Sequence, residues 1–208
     1  MKTFAMIAAL VGWLAAPAQA QNPTLAATPN VQVLTRGTIN AVVRLSDGSV
    51  VIGGNFVSVA GAPRRNLAKL KADGTLDATW NPSANGVVTA IVRDAQDNLY
   101  VGGNFSSFDA NLVSIGGQVR DYLAKLSPTG AGAADAGWNP APDSAISALA
   151  VDGAGAVYVA GSFTTIDGQA RTRMAKLAAS NGHADANWNP APGSGSVAAL
   201  VADGSNVY

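Results

Sequence analysis

The chain has 208 residues, and its 13 basic side chains balance 13 acidic ones, so it lacks the basic surplus of nucleic-acid-binding proteins. It contains no cysteine and one histidine, His183, which excludes disulfides, cysteine-ligated metals and multi-histidine metal sites. Every acidic residue is aspartate, which favours turns over helices. We therefore expect a β-rich protein with no metal, no cofactor and no nucleic-acid partner.

The N-terminus has the order of a secretory signal peptide. Lys2 precedes an apolar run over residues 4–16, and Ala18-Gln19-Ala20 supplies a small-x-small cleavage site. The apolar run is shorter than the ~20 residues that a membrane-spanning helix needs. The pattern predicts a signal peptide over residues 1–20 and an exported protein that is extracellular, on the cell surface or periplasmic, without membrane insertion after cleavage. Residues 21–38 are polar and interrupted by prolines, which indicates a linker.

From residue 39 onward the chain repeats one unit. Three copies span residues 39–86, 88–143 and 146–195, and residues 197–208 begin a fourth. Trp-Asn-Pro closes each complete copy, starting at Trp80, Trp138 and Trp188. A period near about 50 residues is typical of propellers, solenoids and repeat arrays.

Each copy contains four short β signals separated by turn residues. In the first copy a small apolar strand at 41–43 is followed by a strand that runs into Gly53-Gly54, a third strand at 67–70, and a short fourth strand that stops at Pro82. Glycines inside a strand indicate close approach of another backbone. The pattern predicts an all-β protein made of about three four-stranded β-propeller blades and the start of a fourth. A β-solenoid is the alternative.

A family resemblance is carried by the run LSDGSVVIGGNFVSVAGAPRRNLAKLKADGTLDATWNP, which begins at Leu45. It resembles the delta-60 repeat of bacterial exported proteins, with its DG turns, its strand into GG-x-F and its R-x-N-L-A-K-L strand. The resemblance covers residues 39–208, and a weaker kelch-like resemblance comes from the double glycine and the later tryptophan. Both imply a propeller-like fold, the first on an exported or surface protein, and neither implies catalytic residues.

The last copy stops where the second strand of a blade is expected, because Tyr208 aligns with Tyr100 and Tyr158. Closed propellers need about 4–8 blades. We therefore expect a fragment of a longer protein, whose remaining blades would be partners of this chain.

The recurring tryptophans and lysines are interpreted as structural. Tryptophans also dock the blades of quinoprotein dehydrogenases, but one tryptophan at the same place in each copy is what packing between blades requires. The recurring lysines are expected to form cross-strand ion pairs with the recurring aspartates, as Lys69 with Asp77, Lys125 with Asp135 and Lys176 with Asp185.

Five arginines precede the third strands and are the candidate ligand-facing residues: Arg64, Arg65, Arg120, Arg171 and Arg173. On one face of a disc they could hold anionic sugars or carboxylates, and solvated loop charge is the alternative. His183 is interpreted as a turn residue, and no catalytic residue is assigned. The second copy has an insertion between Ser106 and Arg120, where binding specificity could lie.

These observations predict an exported, non-enzymatic β-propeller repeat module that binds protein or glycan, or serves as a scaffold, within a larger surface or secreted protein. The alternatives are a propeller enzyme that acts on glycans as a hydrolase or lyase, or a fragment of a quinoprotein-type dehydrogenase.

Overall fold

The computed structural model describes residues 37–106, 114–193, 195–204 and 206–208. The predicted signal peptide, nearly all of the predicted linker and residues 107–113 of the insertion lie outside the described residues. Within the described ranges the chain is all-β, as predicted, and every strand pairs antiparallel. This part of the chain contains no helix that could cross a membrane.

The strands are β1 Thr38–Arg44, β2 Val50–Asn55, β3 Ser58–Val59, β4 Ala62–Pro63, β5 Leu67–Leu70, β6 Val87–Arg93, β7 Leu99–Asn104, β8 Leu123–Leu126, β9 Ile146–Val151, β10 Val157–Gly161, β11 Thr165–Ile166, β12 Gln169–Ala170, β13 Met174–Leu177, β14 Ala202–Asp203 and β15 Asn206–Val207.

Three three-stranded sheets carry the repeat, in the orders β1-β2-β5, β6-β7-β8 and β9-β10-β13. We call each sheet with its outer turn a blade: blade one spans residues 38–86, blade two 87–145 and blade three 146–193. Apart from the exposed Asn55 and Asn104 at the ends of β2 and β7, the central strands β2, β7 and β10 consist of apolar or aromatic residues and glycines that are nearly all buried, as expected for strands covered on each side.

The predicted fourth strand of each blade is reduced to a single β-bridge, which corrects the four-stranded prediction. The bridges join Leu70 to Leu76, Leu126 to Ala134 and Leu177 to Ala184. In blade one the chain turns directly after the bridge, because the Asp77 carboxylate accepts hydrogen bonds from the backbone N–H groups of Thr79 and Trp80. In the other two blades the carboxylates of Asp135 and Asp185 likewise accept hydrogen bonds from backbone N–H groups two residues later, those of Gly137 and Asn187.

The last glycine of each central strand lies at a β-bulge. A Cβ atom on Gly54, Gly103 or Gly161 would overlap the backbone carbonyl of Thr38, Val87 or Ala145, of which the first two begin β1 and β6 and the third directly precedes β9. The register of the first and second strands shifts at this point in all three blades. Glycine is therefore needed here for close approach of backbone, as the sequence predicted.

The hydrophobic core lies between neighbouring blades. One cluster joins blades one and two and includes Trp80, Val88 and Val101. A second cluster joins blades two and three around Trp138 and Ile146. A third cluster is formed by residues of blade one: Ile52, Phe56, Val59, Ala68 and Leu70. Blades that bury their surfaces against one another are the arrangement expected of a repeat protein.

The fourth copy differs from the prediction. The expected first strand at 199–201 is not formed, and residues 195–201 contain no strand. Instead β14 and β15 form a short hairpin, extended by two backbone hydrogen bonds of 2.9 Å between Val201 and Tyr208. The side chains of Val201 and Tyr208 remain 59% and 74% exposed, so the copy gains little from burial of apolar surface.

Candidate functional site

The tryptophans of blades one and two hold the following blade. Trp80 Nε1 donates a 3.0 Å hydrogen bond to the carbonyl of Ser127, and Trp138 Nε1 donates one of the same length to the carbonyl of Ala178. Both rings are fully buried. The prediction that these tryptophans pack between blades is confirmed.

The lysines of the third strands make a second contact between blades. Lys69 Nζ donates to the carbonyl of Pro128 at 2.9 Å, and Lys125 Nζ donates to the carbonyl of Ala179 at 3.0 Å. Each acceptor directly follows the carbonyl that the tryptophan of the same blade uses. Lys125 Nζ also lies 5.9 Å from the ring centre of Tyr100, within the range of a cation–π contact.

Two of the three predicted ion pairs are confirmed. Lys125 Nζ lies 3.6 Å from an oxygen of Asp135, and Lys176 Nζ lies 3.9 Å from one of Asp185. For Lys69 the prediction was wrong, because its partner is Asp47 at 3.8 Å. Lys69 thus pairs with the hairpin turn between the first two strands instead of the closing segment.

A third contact between blades comes from the first strand of each. Asn40 Nδ2 donates to the carbonyl of Val88 at 2.9 Å, and Thr89 Oγ1 donates to the carbonyl of Ile146 at 2.6 Å. Ser147 Oγ donates to the carbonyl of Val197 in the fourth copy at 2.7 Å. The short polar side chain at this position therefore ties the first strand of each blade to the following copy.

The first glycine of each pair makes room for side chains of the following blade. A Cβ atom on Gly53 would lie 2.5 Å from Val88 Cγ1, and one on Gly102 would lie 2.5 Å from Ile146 Cγ2. The sequence indicated close approach of backbone at both glycines. In the structure, backbone of the first strand comes close to the second glycine, whereas a side chain of the following blade comes close to the first.

Three of the five candidate arginines are buried in their own blades. Arg64, Arg120 and Arg171 each donate through one terminal nitrogen to the preceding carbonyl and through the other to the carbonyl of the recurring aspartate, at 3.1, 2.6 and 3.0 Å. Their Nε atoms are buried without a hydrogen-bond partner among the described residues. Burial lowers the pKa of Arg120, and the charge of Asp135 opposes this shift.

The remaining two candidates are more accessible. Arg65 is exposed, and Arg173 is half-buried and donates to the carbonyl of Gly193. The structure therefore places three of the five arginines inside separate blades and does not gather the five on one surface. Their ligand-facing role stays a prediction, best kept for Arg65 and Arg173.

A central groove of about 320 Å³ runs between the first strands of the blades. Its described lining is apolar or neutral, with Asn40, Thr89 and Ser147 as the polar contributors. These three side chains donate to backbone carbonyls of the following copy, as described above. A sugar-cleaving site needs two carboxyl groups that flank the bond, and the lining of this groove does not supply them.

An outer groove of about 400 Å³ lies on blade three, lined in part by Lys176, Asn181, His183 and Asp185. The Asp167 carboxylate lies 3.1 Å from His183 Nδ1 and also accepts a hydrogen bond from the backbone N–H of residue 184. His183 itself is well exposed, with 68% of its side chain accessible.

The outer groove is specific to blade three in only part of its lining, because Lys176 and Asp185 recur in the other blades whereas His183 does not. At the place of His183 the other blades have Thr75 and Ala133, whose carbonyls accept the equivalent backbone hydrogen bond. Sequence reasoning missed the pairing of His183 with Asp167, which lies 16 residues away. The sequence feature that could have indicated this site is that the residue at the position of His183 differs in each of the three copies. The described residues contain no cluster of three or more side chains able to hold a metal ion.

Comparison with known proteins gives a match to a family model. The sequence model of a β-propeller domain of unknown function, DUF5122, matches residues 40–79 and 155–187, which lie in the first and third copies. No curated protein matches the chain. The chain is therefore all-β, with antiparallel sheets and repeats similar to this β-propeller family.

Proposed function

We propose that the chain is an exported, non-enzymatic β-propeller repeat module that binds a glycan or a protein, or serves as a scaffold, within a larger surface or secreted protein of the delta-60 type. The observation that carries the proposal is a difference between two sets of polar side chains. The tryptophans, lysines and first-strand donors that recur at matching positions bind backbone carbonyls of the following copy in blades one and two, whereas Asn181 and His183 in the outer groove of blade three differ from their counterparts in the other blades.

The outer groove suits a polar ligand such as a glycan. Asn181 supplies an amide, Asp185 a carboxylate and Lys176 an ammonium group, and His183 is oriented by Asp167. Several donors and acceptors around an apolar floor, here Leu177 and Ala184, are typical of pockets for small polar ligands. A rigid repeat that carries variable residues at its rim is a common arrangement for recognition.

A glycan array probed with the full chain tests this function. We expect binding to a restricted set of glycans, and at least tenfold weaker binding of the best one to His183→Ala. Thr75→Ala is the matched control, because Thr75 occupies the position of His183 in blade one, and it should bind like the wild type. If no glycan binds, or if both variants bind like the wild type, the groove is not a glycan site and protein binding or scaffolding remains.

Export is tested independently. The chain expressed with its own N-terminus in a bacterial host should be recovered outside the cytoplasm, with Gln21 as its first residue by N-terminal sequencing. Ala18→Arg together with Ala20→Arg should block cleavage, because the small residues of the cleavage site are lost. Recovery of an uncut chain in the cytoplasm of wild-type cells would contradict the proposal.

A glycan-acting enzyme is the second candidate, and the pairing of His183 with Asp167 is the observation that favours it. A carboxylate that orients one ring nitrogen leaves the other free to act as a general base. Incubation of the array hits with the chain, followed by mass spectrometry, distinguishes the two functions. Cleaved glycans that are absent with His183→Ala would indicate an enzyme, and intact glycans would indicate a binding module.

A further inference from the structure

Two surfaces of the chain carry one half each of the contact that joins neighbouring blades. We call the first the leading face of blade one; it contains Ile39 and Val42 of β1 and the turn at Lys71 and Ala72. We call the second the trailing face of blade three; it contains Ser147, Tyr158, Lys176 and Trp188.

The leading face of blade one exposes apolar side chains that are buried in the other blades. Ile39 is 44% exposed and Val42 is 61% exposed. Val88 and Ile91, at the same positions of blade two, are 0% and 7% exposed because they pack against blade one. Their counterparts in blade three are equally buried. The exposed pair on blade one thus marks a docking surface of the same kind.

The trailing face of blade three is incompletely covered. Trp188 is half-buried, whereas Trp80 and Trp138 are fully buried. A cavity of about 380 Å³ lies between this face and the fourth copy, bounded by Tyr158, Lys176 and Gly204 among others. In blade two the corresponding lysine, Lys125, binds the next blade instead.

The two faces are complementary in their hydrogen bonds. At both described interfaces the earlier blade donates through tryptophan and lysine side chains, and the later blade accepts through two consecutive backbone carbonyls. Trp188 and Lys176 occupy the positions of these donors in blade three. Lys71 and Ala72 hold, in blade one, the positions of the accepting residues. The repeat itself therefore makes one face the counterpart of the other.

We propose that the trailing face of blade three binds the leading face of blade one from a second copy of this chain. The second molecule takes the place of the fourth repeat, which holds this face weakly. Residues 195–201 of that repeat form no strand, and Ser147 binds them through the carbonyl of Val197. The contact uses different surfaces on its two sides, so it extends head to tail into a closed ring or an open chain of protomers.

Sedimentation velocity on the full chain and on two variants tests the interface. Val42→Lys places a charge on the leading face, and Trp188→Ala removes the main donor of the trailing face. We expect the wild-type average mass to rise with concentration and each variant alone to stay monomeric. An equimolar mixture of the variants should form a dimer of twice the monomer mass, because Val42→Lys keeps an intact trailing face and Trp188→Ala an intact leading face.

Val119→Lys is the matched control, since Val119 is an exposed valine on blade two, and it should associate like the wild type. Lys176→Glu replaces Trp188→Ala if circular dichroism shows that the latter is unfolded. A monomeric wild type at every concentration would overturn the proposal and indicate that other segments of the same chain cover these faces. A mixture that stays monomeric, or variants that associate like the wild type, would overturn it as well.

Discussion

The contacts between blades one and two and between blades two and three are built alike, whereas blade three meets the fourth copy with only part of the same set. The first two interfaces combine a buried tryptophan, a lysine, a donor on the first strand and a glycine that admits the next blade. At the third, Ser147 still donates to the fourth copy, but Trp188 stays half-buried.

Two substitutions distinguish the third interface. Ala160 replaces the first glycine, so its methyl group occupies the space that Gly53 and Gly102 leave for the next blade. Ala198 occupies the position at which the three earlier copies have the hydrogen-bond donors Asn40, Thr89 and Ser147. A blade therefore docks well only when the earlier blade leaves space and the side chains of the later blade fill it.

The largest expected difference between the interfaces concerns tryptophan. Trp138→Ala should lower the free energy of unfolding by about 3–5 kcal/mol, because it removes a fully buried ring and its hydrogen bond to blade three. Trp188→Ala should cost clearly less, since that ring is half-buried. Urea denaturation, at concentrations where the chain is monomeric, measures both. Equal losses would contradict the difference between the interfaces.

The first glycine should give the next largest effect. Gly102→Ala is expected to cost about 1–3 kcal/mol, because the added methyl meets Ile146 Cγ2 in a packed core. The reverse change, Ala160→Gly, should instead let Val197 approach blade three. We expect slower amide hydrogen exchange over residues 197–203 in that variant. Unchanged exchange would show that Ala160 does not limit docking of the fourth copy.

A smaller effect is expected for the donors of the first strands. Thr89→Val should cost about 0.5–1.5 kcal/mol, since it leaves the carbonyl of Ile146 without its partner. Ser147→Ala should cost less, because its bond to Val197 is exposed to solvent. Thermal melts of the two variants side by side provide the test. A larger loss for Ser147→Ala would mean that the fourth copy is held more firmly than its lack of a strand indicates.

The smallest effect is a pH dependence at the first interface. Burial raises the pKa of Asp97, but hydrogen bonds from Ser46 of blade one and the charge of Arg93 outweigh it and hold the pKa below its ordinary value. Asp97 therefore stabilises the fold fully above the unfolded-state pKa of about 3.9, and this contribution is lost as the pH falls through the native pKa.

Asp97→Asn is thus expected to lower stability at neutral pH and to approach the wild type in acid. Urea midpoints measured from pH 7 down to the acid range give the comparison. Asp203→Asn in the fourth copy serves as the control. A constant difference between wild type and Asp97→Asn at all pH values would contradict the assignment.

The sequence predicted the strands and turns well, because these depend on local chemistry. The run into Gly53-Gly54 and the strand at Leu67–Leu70 lie where their patterns placed them. The prediction of a fourth strand was wrong because the Asp77 carboxylate binds the backbone N–H of Thr79 and turns the chain directly after the single bridge between Leu70 and Leu76. Strand propensities do not take into account that a side chain can compete with the neighbouring strand for the backbone N–H groups.

Partners across the chain were harder to predict. The pairing of Lys69 with Asp47 and the carbonyls bound by Trp80 depend on how blades are placed, which residue spacing alone does not specify. The burial of Arg64 was missed for a different reason. Arginine is usually exposed, although its recurrence at one place in each copy was the same signal that correctly identified the tryptophans as structural.

The acceptors of the bonds between blades are main-chain carbonyls, and this has a consequence for how the molecule evolves. Ser127 and Pro128 in one blade are replaced by Ala178 and Ala179 in the next, yet the same two bonds form. A duplicated unit can therefore join its neighbour without compensating mutations on the receiving side. Gene duplication can lengthen or shorten such an array by whole units, and selection then acts freely on the residues at its rim.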